Sequence, residues 1–220
     1  ADMAVLDPDL TVGLPAFITA FTGFDALTHA IEALASPTST ALTDAHALHA
    51  IRLIEKNLPL VVENGLNKEA RMEMLQASLM GITAFSFALN AIPVHNFAHA
   101  YGALFRIPHG LANAVFLPVV MESVPMLYLP KVKELAEALR VNTLSTDDPQ
   151  TILTQVVEKI RLLQQKVGLP ANFESFNISE ESLEATVKAV SMDPAALNFP
   201  MPPELIRAIG EKVVPMQIKS

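Results

Sequence analysis

Val94–Gly110, VHNFAHAYGALFRIPHG, places three of the chain's six histidines, His95, His99 and His109, in one short apolar span. Neutral imidazole is the commonest nitrogen ligand of first-row divalent metals, and several converging rings are a usual way to hold one. Convergence here requires a bend. On an unbroken helix, fourteen residues would separate His95 from His109 by roughly 21 Å, whereas ligand atoms sit about 2 Å from an ion. Gly102 relaxes the backbone, and the Ile107-Pro108 step restricts its first residue to extended geometry. The sequence therefore predicts a helix with His95 and His99 on one face, a turn, and His109 opening the next helix.

A divalent cation also favours a charged ligand. Asp25-Ala-Leu-Thr-His29 sets a carboxylate and an imidazole four residues apart, which on a helix is one face with Cβ atoms about 5–6 Å apart. The surrounding residues are apolar, and a carboxylate among them is costly to bury unless it is paired or bound to a cation. Asp25, His29, His95 and His109 together form a candidate site with one oxygen and three nitrogen donors and no thiolate. Fe(II), Zn(II), Mn(II) and Co(II) all suit such a set, and ligand type alone does not choose among them. Singly, each of these residues is more often a packed or backbone-bonded side chain than a ligand. Their joint pattern carries the expectation.

Two longer motifs carry a resemblance. TGFDALTHAIEALAS at Thr22–Ser36 and VHNFAHAYGALFRIPHGLANAVFLP at Val94–Pro118 resemble the two signatures of the iron-containing (group III) alcohol dehydrogenase family. DMAVLDPDLTVGLP at Asp2–Pro15 is similar to the junction between that family's two domains. The resemblance implies an all-α, multi-helix domain of the dehydroquinate synthase-like, iron-containing alcohol dehydrogenase C-terminal type over residues 15–220. Residues 1–14 would be the inter-domain junction, with a short strand left from an N-terminal nucleotide-binding domain outside this chain. It implies that Asp25, His29, His95 and His109 bind the metal, Fe(II) first and Zn(II) as the alternative, and that His99 lines the active site without binding it. NAD(P) would be held mostly by the N-terminal domain, a small alcohol or aldehyde would be the substrate, and the protein would be a homo-oligomer, by family tendency a dimer. The expected reaction is hydride transfer between alcohol and NAD(P), with the metal as Lewis acid and this chain alone inactive.

Composition bounds the alternatives. The 220 residues are 51% hydrophobic, with mean hydropathy +0.36. His, Asn, Glu or Pro interrupts every apolar stretch before the ~20 residues that a bilayer span needs. With no visible signal peptide, no cysteine and hence no disulfide, the expected compartment is the cytoplasm. A net charge of −8 argues against nucleic acid or an anionic membrane as partner. The eight glycines never approach a G-x-G-x-x-G or P-loop spacing, so any dinucleotide would be held mainly elsewhere.

Proline, glycine and capping residues divide the rest. Met3–Leu6 reads as a β-like run that needs a sheet the chain does not supply. Helices are expected over Pro15–Leu34, Ala41–Leu58, Asn67–Phe87, Leu111–Val120, Leu129–Arg140, Pro149–Val167, Ser179–Val190 and Pro203–Val213, with the His95 helix between the third and fourth. Gly23, in mid-helix, calls for a reason such as close packing. LMGITAFSFALN at Leu79–Asn90 is almost wholly apolar and is expected to be buried on all sides. His46 and His49 lack a nearby third ligand and read as a solvent-facing pair beside Asp44. Two rival functions stand beside the dehydrogenase: a metal-dependent hydrolase using the same ligands on water, and a non-catalytic helical assembly domain.

Overall fold

Side-chain caps fix the starts of several helices in the computed structural model, which describes residues 3–176 and 178–215. Thr40 and Thr43 form a reciprocal capping box at the start of one helix, and Asn67, Asp148 and Ser179 each accept a backbone N–H at the start of another. The α-helices are α1 (Ala16–Ala35), α2 (Ala41–Glu63), α3 (Lys68–Phe87), α4 (Pro93–Phe105), α5 (His109–Ser123), α6 (Val132–Ala138), α7 (Pro149–Lys166), α8 (Glu180–Met192) and α9 (Pro203–Val213), with short 3₁₀ turns between some of them. The all-α expectation holds for the described residues.

Helices α1, α2 and α3 pack on one another, α5 lies against α1 and α4, and α8 and α9 close over α4 and α5. Phe24, Leu27, Ile31, Ile51, Ile54 and Leu58 fill the first group, and Phe97, Tyr101, Phe116 and Phe173 form an aromatic cluster in the second. Gly23 is explained by close packing, because a Cβ there would lie 2.3 Å from Leu58 Cδ1. Helix α5 is buried along almost its whole length although Pro118 interrupts it. Proline removes the hydrogen bond to the carbonyl four residues earlier, here that of Ala114. Gln164 of α7 replaces it, its buried amide donating to Ala114 O at 3.2 Å and to Pro170 O at 2.6 Å.

Met3–Leu6 is extended chain with no strand partner among the described residues, and Met3 and Val5 are exposed, in keeping with a β-like run whose sheet this chain does not supply. The structure corrects four other expectations. The Leu79–Asn90 stretch is not enclosed: Leu79, Ile82, Phe87 and Leu89 face outward while Ala84 and Ala88 face the core. Helix α2 continues through Pro59 to Glu63 instead of stopping at Leu58, and the Leu129–Arg140 region splits into a 3₁₀ turn followed by the seven-residue α6. The turn after His99 does not bend at Gly102, which remains helical; the reversal is made by Arg106, in the left-handed conformation at φ 56°. Gly102 serves it differently, since a Cβ at that position would press on Ile107 O at 3.3 Å.

Candidate metal centre

Three helices deliver the site. Asp25 and His29 stand one turn apart on α1, Pro93 begins α4 and places His95 in its first turn, and His109 is the first residue of α5. Proline at a helix's first position costs no hydrogen bond, so Pro93 starts α4 with its direction already set. The left-handed Arg106 and the Ile107-Pro108 step turn the chain back between α4 and α5. Gly110 then allows the start of α5 to approach α1, since a Cβ there would sit 2.4 Å from the Phe21 carbonyl oxygen.

The predicted residues come together. His95 Nε2 lies 3.8 Å and His109 Nε2 3.4 Å from Asp25 Oδ1. Asp25, His95 and His109 offer ligand atoms that all fall within 4.8 Å of one another. His29 stands beside this triad, with Nδ1 3.9 Å from Asp25 Oδ2 and its ring centroid 4.4 Å from that of His95. Burial is graded across the cluster: the side chain of His95 is 3% exposed, that of Asp25 26% and that of His109 43%. The site is therefore a shallow pit, walled by His95 at its floor and open beside His109.

His95 supplies the test of fit for a cation. Its Nδ1 lies 2.5 Å from Glu32 Oε2, and Glu32 Oε1 accepts the Val94 backbone N–H at 2.6 Å. The other ring nitrogen, Nε2, is buried and has no hydrogen-bond partner, yet it faces Asp25. A buried imidazole with one nitrogen tied to a carboxylate and the other unpaired beside donor atoms is the arrangement that metal-binding histidines adopt. Electrostatics agree. Burial lowers His95 to about 3 and His29 to about 4, with His95 a further cause for the latter, and burial lowers His109 as well. Neutral imidazoles, the ligating form, are thus favoured at neutral pH. Burial also pushes Glu32 up to about 8, against the backbone N–H groups of Val94 and His95.

Comparison with known proteins gives the family. Residues 19–208 match the family model described as Fe-containing alcohol dehydrogenase family, C-terminal. The chain belongs to this family. It is 36% identical over 203 residues to long-chain-alcohol dehydrogenase 1 of Geobacillus thermodenitrificans, covering 92% of this chain and 51% of that protein. A crystal structure of 1,3-propanediol oxidoreductase superposes with a TM-score of 0.88 at 34% identity, over 94% of this chain and 54% of the other. Sulfoacetaldehyde reductase from Bifidobacterium kashiwanohense, solved in complex with NAD+, gives a TM-score of 0.79 at 26% identity, over 94% of this chain and 53% of the other. This iron-alcohol-dehydrogenase chain spans about half the length of the curated relatives it matches.

Other predicted positions divide. His99 is exposed at the rim, stacked on His109 with centroids 5.4 Å apart, and its Nδ1 lies 3.3 Å from Asp193 Oδ1. His46 is bonded to the Leu42 carbonyl at 2.9 Å, His49 is exposed, and Asp44 is taken by Lys131. Three residues near the centre escape sequence reading. Glu32 was accessible, since it stands seven residues after Asp25 and three after His29 on the same face of α1. Asn113 was not: its amide donates to Asp25 Oδ1 at 2.5 Å, but 88 residues separate the two. Asp193, 94 residues beyond His99, was equally hidden.

Proposed function

We propose that this chain is the metal-binding half of an NAD(P)-dependent alcohol dehydrogenase that interconverts an alcohol and an aldehyde by hydride transfer. Asp25, His29, His95 and His109 hold one divalent cation, Fe(II) in keeping with the family and Zn(II) as the alternative. The observation that carries this reading is the buried, unpaired Nε2 of His95 beside the Asp25 carboxylate, with Glu32 behind it. When bound, the cation supplies Lewis acidity, which favours ionisation of a substrate hydroxyl in one direction and polarises a carbonyl in the other.

The chain's own residues do the rest. Glu32 accepts the single proton of His95 at Nδ1, which leaves the Nε2 lone pair directed into the site. Asn113 donates to Asp25 and lies 3.1 Å from His109 Nε2, which ties the carboxylate of α1 to the first turn of α5. His95 and Phe85, with ring centroids 4.8 Å apart, wall the inner side against water. His99 projects at the open rim, held by Asp193, where it contacts substrate or nicotinamide and exchanges a proton with solvent. The hydride acceptor comes from the N-terminal nucleotide-binding domain that residues 1–14 lead from. The NAD+ complex of the sulfoacetaldehyde reductase relative supports a nicotinamide cofactor. Family membership favours hydride transfer over the hydrolytic and assembly-only alternatives.

Metal analysis tests the reading. The 220-residue chain, reconstituted anaerobically with Fe(II) or with Zn(II) and freed of excess ion, is expected to retain stoichiometric metal, and His109→Ala to lose most of it. In the full-length enzyme the same substitution should abolish turnover. Full metal retention by both His109→Ala and His95→Ala chains would remove the site.

A further inference from the structure

Behind the metal-bearing face of α4 lies a cleft of about 510 Å³, between α4, the end of α8, the 3₁₀ turn after Asp193 and the start of α9. That volume is in the range of small-molecule sites. Its walls are largely apolar, with Val190, Met192, Met201 and Ile206 among them, and three polar side chains border it: Asn96, Asp193 and Ser191, whose hydroxyl donates to the Val187 carbonyl at 2.8 Å. Asn96 is 1% exposed, and neither its amide nitrogen nor its amide oxygen has a hydrogen-bond partner. Buried amides are almost always bonded, so this one marks a position at which a partner is missing.

We infer that this cleft binds a small neutral molecule with a hydroxyl head and an apolar body, the hydroxyl donating to Asn96 Oδ1 and accepting from Asn96 Nδ2. The chemistry selects the head group. Asn96 presents an N–H donor edge and a carbonyl acceptor side by side, and one hydroxyl can accept from the first while donating to the second. A carboxylate would meet the Asp193 carboxylate on the same wall. The apolar lining takes the body of the ligand by excluding it from water. The site is separate from the cation-facing atoms of Asp25, His95 and His109, and the inference does not depend on a bound metal.

The test uses the 220-residue chain with ¹³C-methyl-labelled methionine, titrated with 1-pentanol and, in parallel, with its isomer butyl methyl ether, which accepts a hydrogen bond but cannot donate one. The expected result is saturable movement of the Met192 and Met201 methyl signals by pentanol, with a midpoint on the order of 10 mM. The core Met121 should stay in place. The ether should bind several-fold more weakly, pentanoate should not bind, and Asn96→Leu should weaken pentanol by about tenfold or more. Ala196→Leu fills the cleft from the opposite wall and should also abolish the shifts, which keeps the test readable if Asn96→Leu fails to fold. Absence of saturable movement would overturn the inference, leaving the amide satisfied by solvent. Equal midpoints for alcohol and ether, or binding unchanged by both substitutions, would overturn it as well.

Discussion

Glu32 is the residue on which the centre turns, because it fixes which nitrogen of a buried ring faces the donor cluster. Glu32→Gln keeps the size and an acceptor for the Val94 N–H but puts an amide N–H₂ where a carboxyl oxygen faced His95 Nδ1. Losing such a supporting carboxylate typically costs about 10–100-fold in metal affinity. Chelator competition on the two chains should show that drop with the helical circular dichroism unchanged; equal affinities would make Glu32 a packing residue only. Asp193→Asn keeps an oxygen for the Ala195 N–H and alters the partner of His99: metal content stays, while the imidazole ¹⁵N signals of His99 report a changed tautomer balance. Spacing made Asp25 and His29 legible, since i and i+4 must share a face of one helix. It could not reveal Asn113 or Asp193, whose partners are brought to them only by tertiary packing.

At the level of elements, local punctuation was informative and tertiary compensation was not. Thr40, Asn67 and Asp148 announce helix starts by their chemistry, but nothing in the sequence says that α2 runs through Pro59 or that Pro118 is tolerated inside α5. The second is explained by Gln164, and replacing it by leucine strips the Ala114 carbonyl of its partner. The expected cost is about 1–3 kcal/mol, measured as a lower urea midpoint with unchanged slope. Gly110→Ala should be harsher for function, because the new Cβ meets the backbone of Phe21 and not a yielding side chain. It should separate α5 from α1 and lower metal retention and stability together. The Asp148 cap gives a pH signature. Hydrogen bonds from Thr151 and the Gln150 N–H hold its carboxyl below the usual range, so its contribution is present above the unfolded pKa and lost as pH falls through the folded one. The difference in urea midpoint between parent and Asp148→Ala should therefore shrink as the pH is lowered from neutral through and below the ordinary Asp range.

Across the whole molecule, the two signature motifs pointed to the family and to side chains that the fold brings together, while hydrophobicity misplaced one face. The apolar run at the end of α3 reads as core, yet Phe87 is 76% exposed and Leu89 54%. Phe17 and Ile18 of α1 are also partly exposed. Composition reports how apolar a segment is and not what it packs against, so a face left open in this chain looks the same as an interior one. The isolated chain is expected to self-associate as concentration rises, and Phe87→Ser to reduce that association in sedimentation velocity runs. A strictly monomeric parent at high concentration would show that the face is tolerated by solvent. The reversal at Arg106–Pro108 has a metrical consequence. A residue added in that loop would leave α5 in phase, because the buried length of the helix sets its rotation. One added between His109 and Leu111 would instead swing the imidazole by about 100° around the helix axis, so scanning single-residue insertions across this segment should find metal retention lost abruptly on passing from the loop into the first turn of α5.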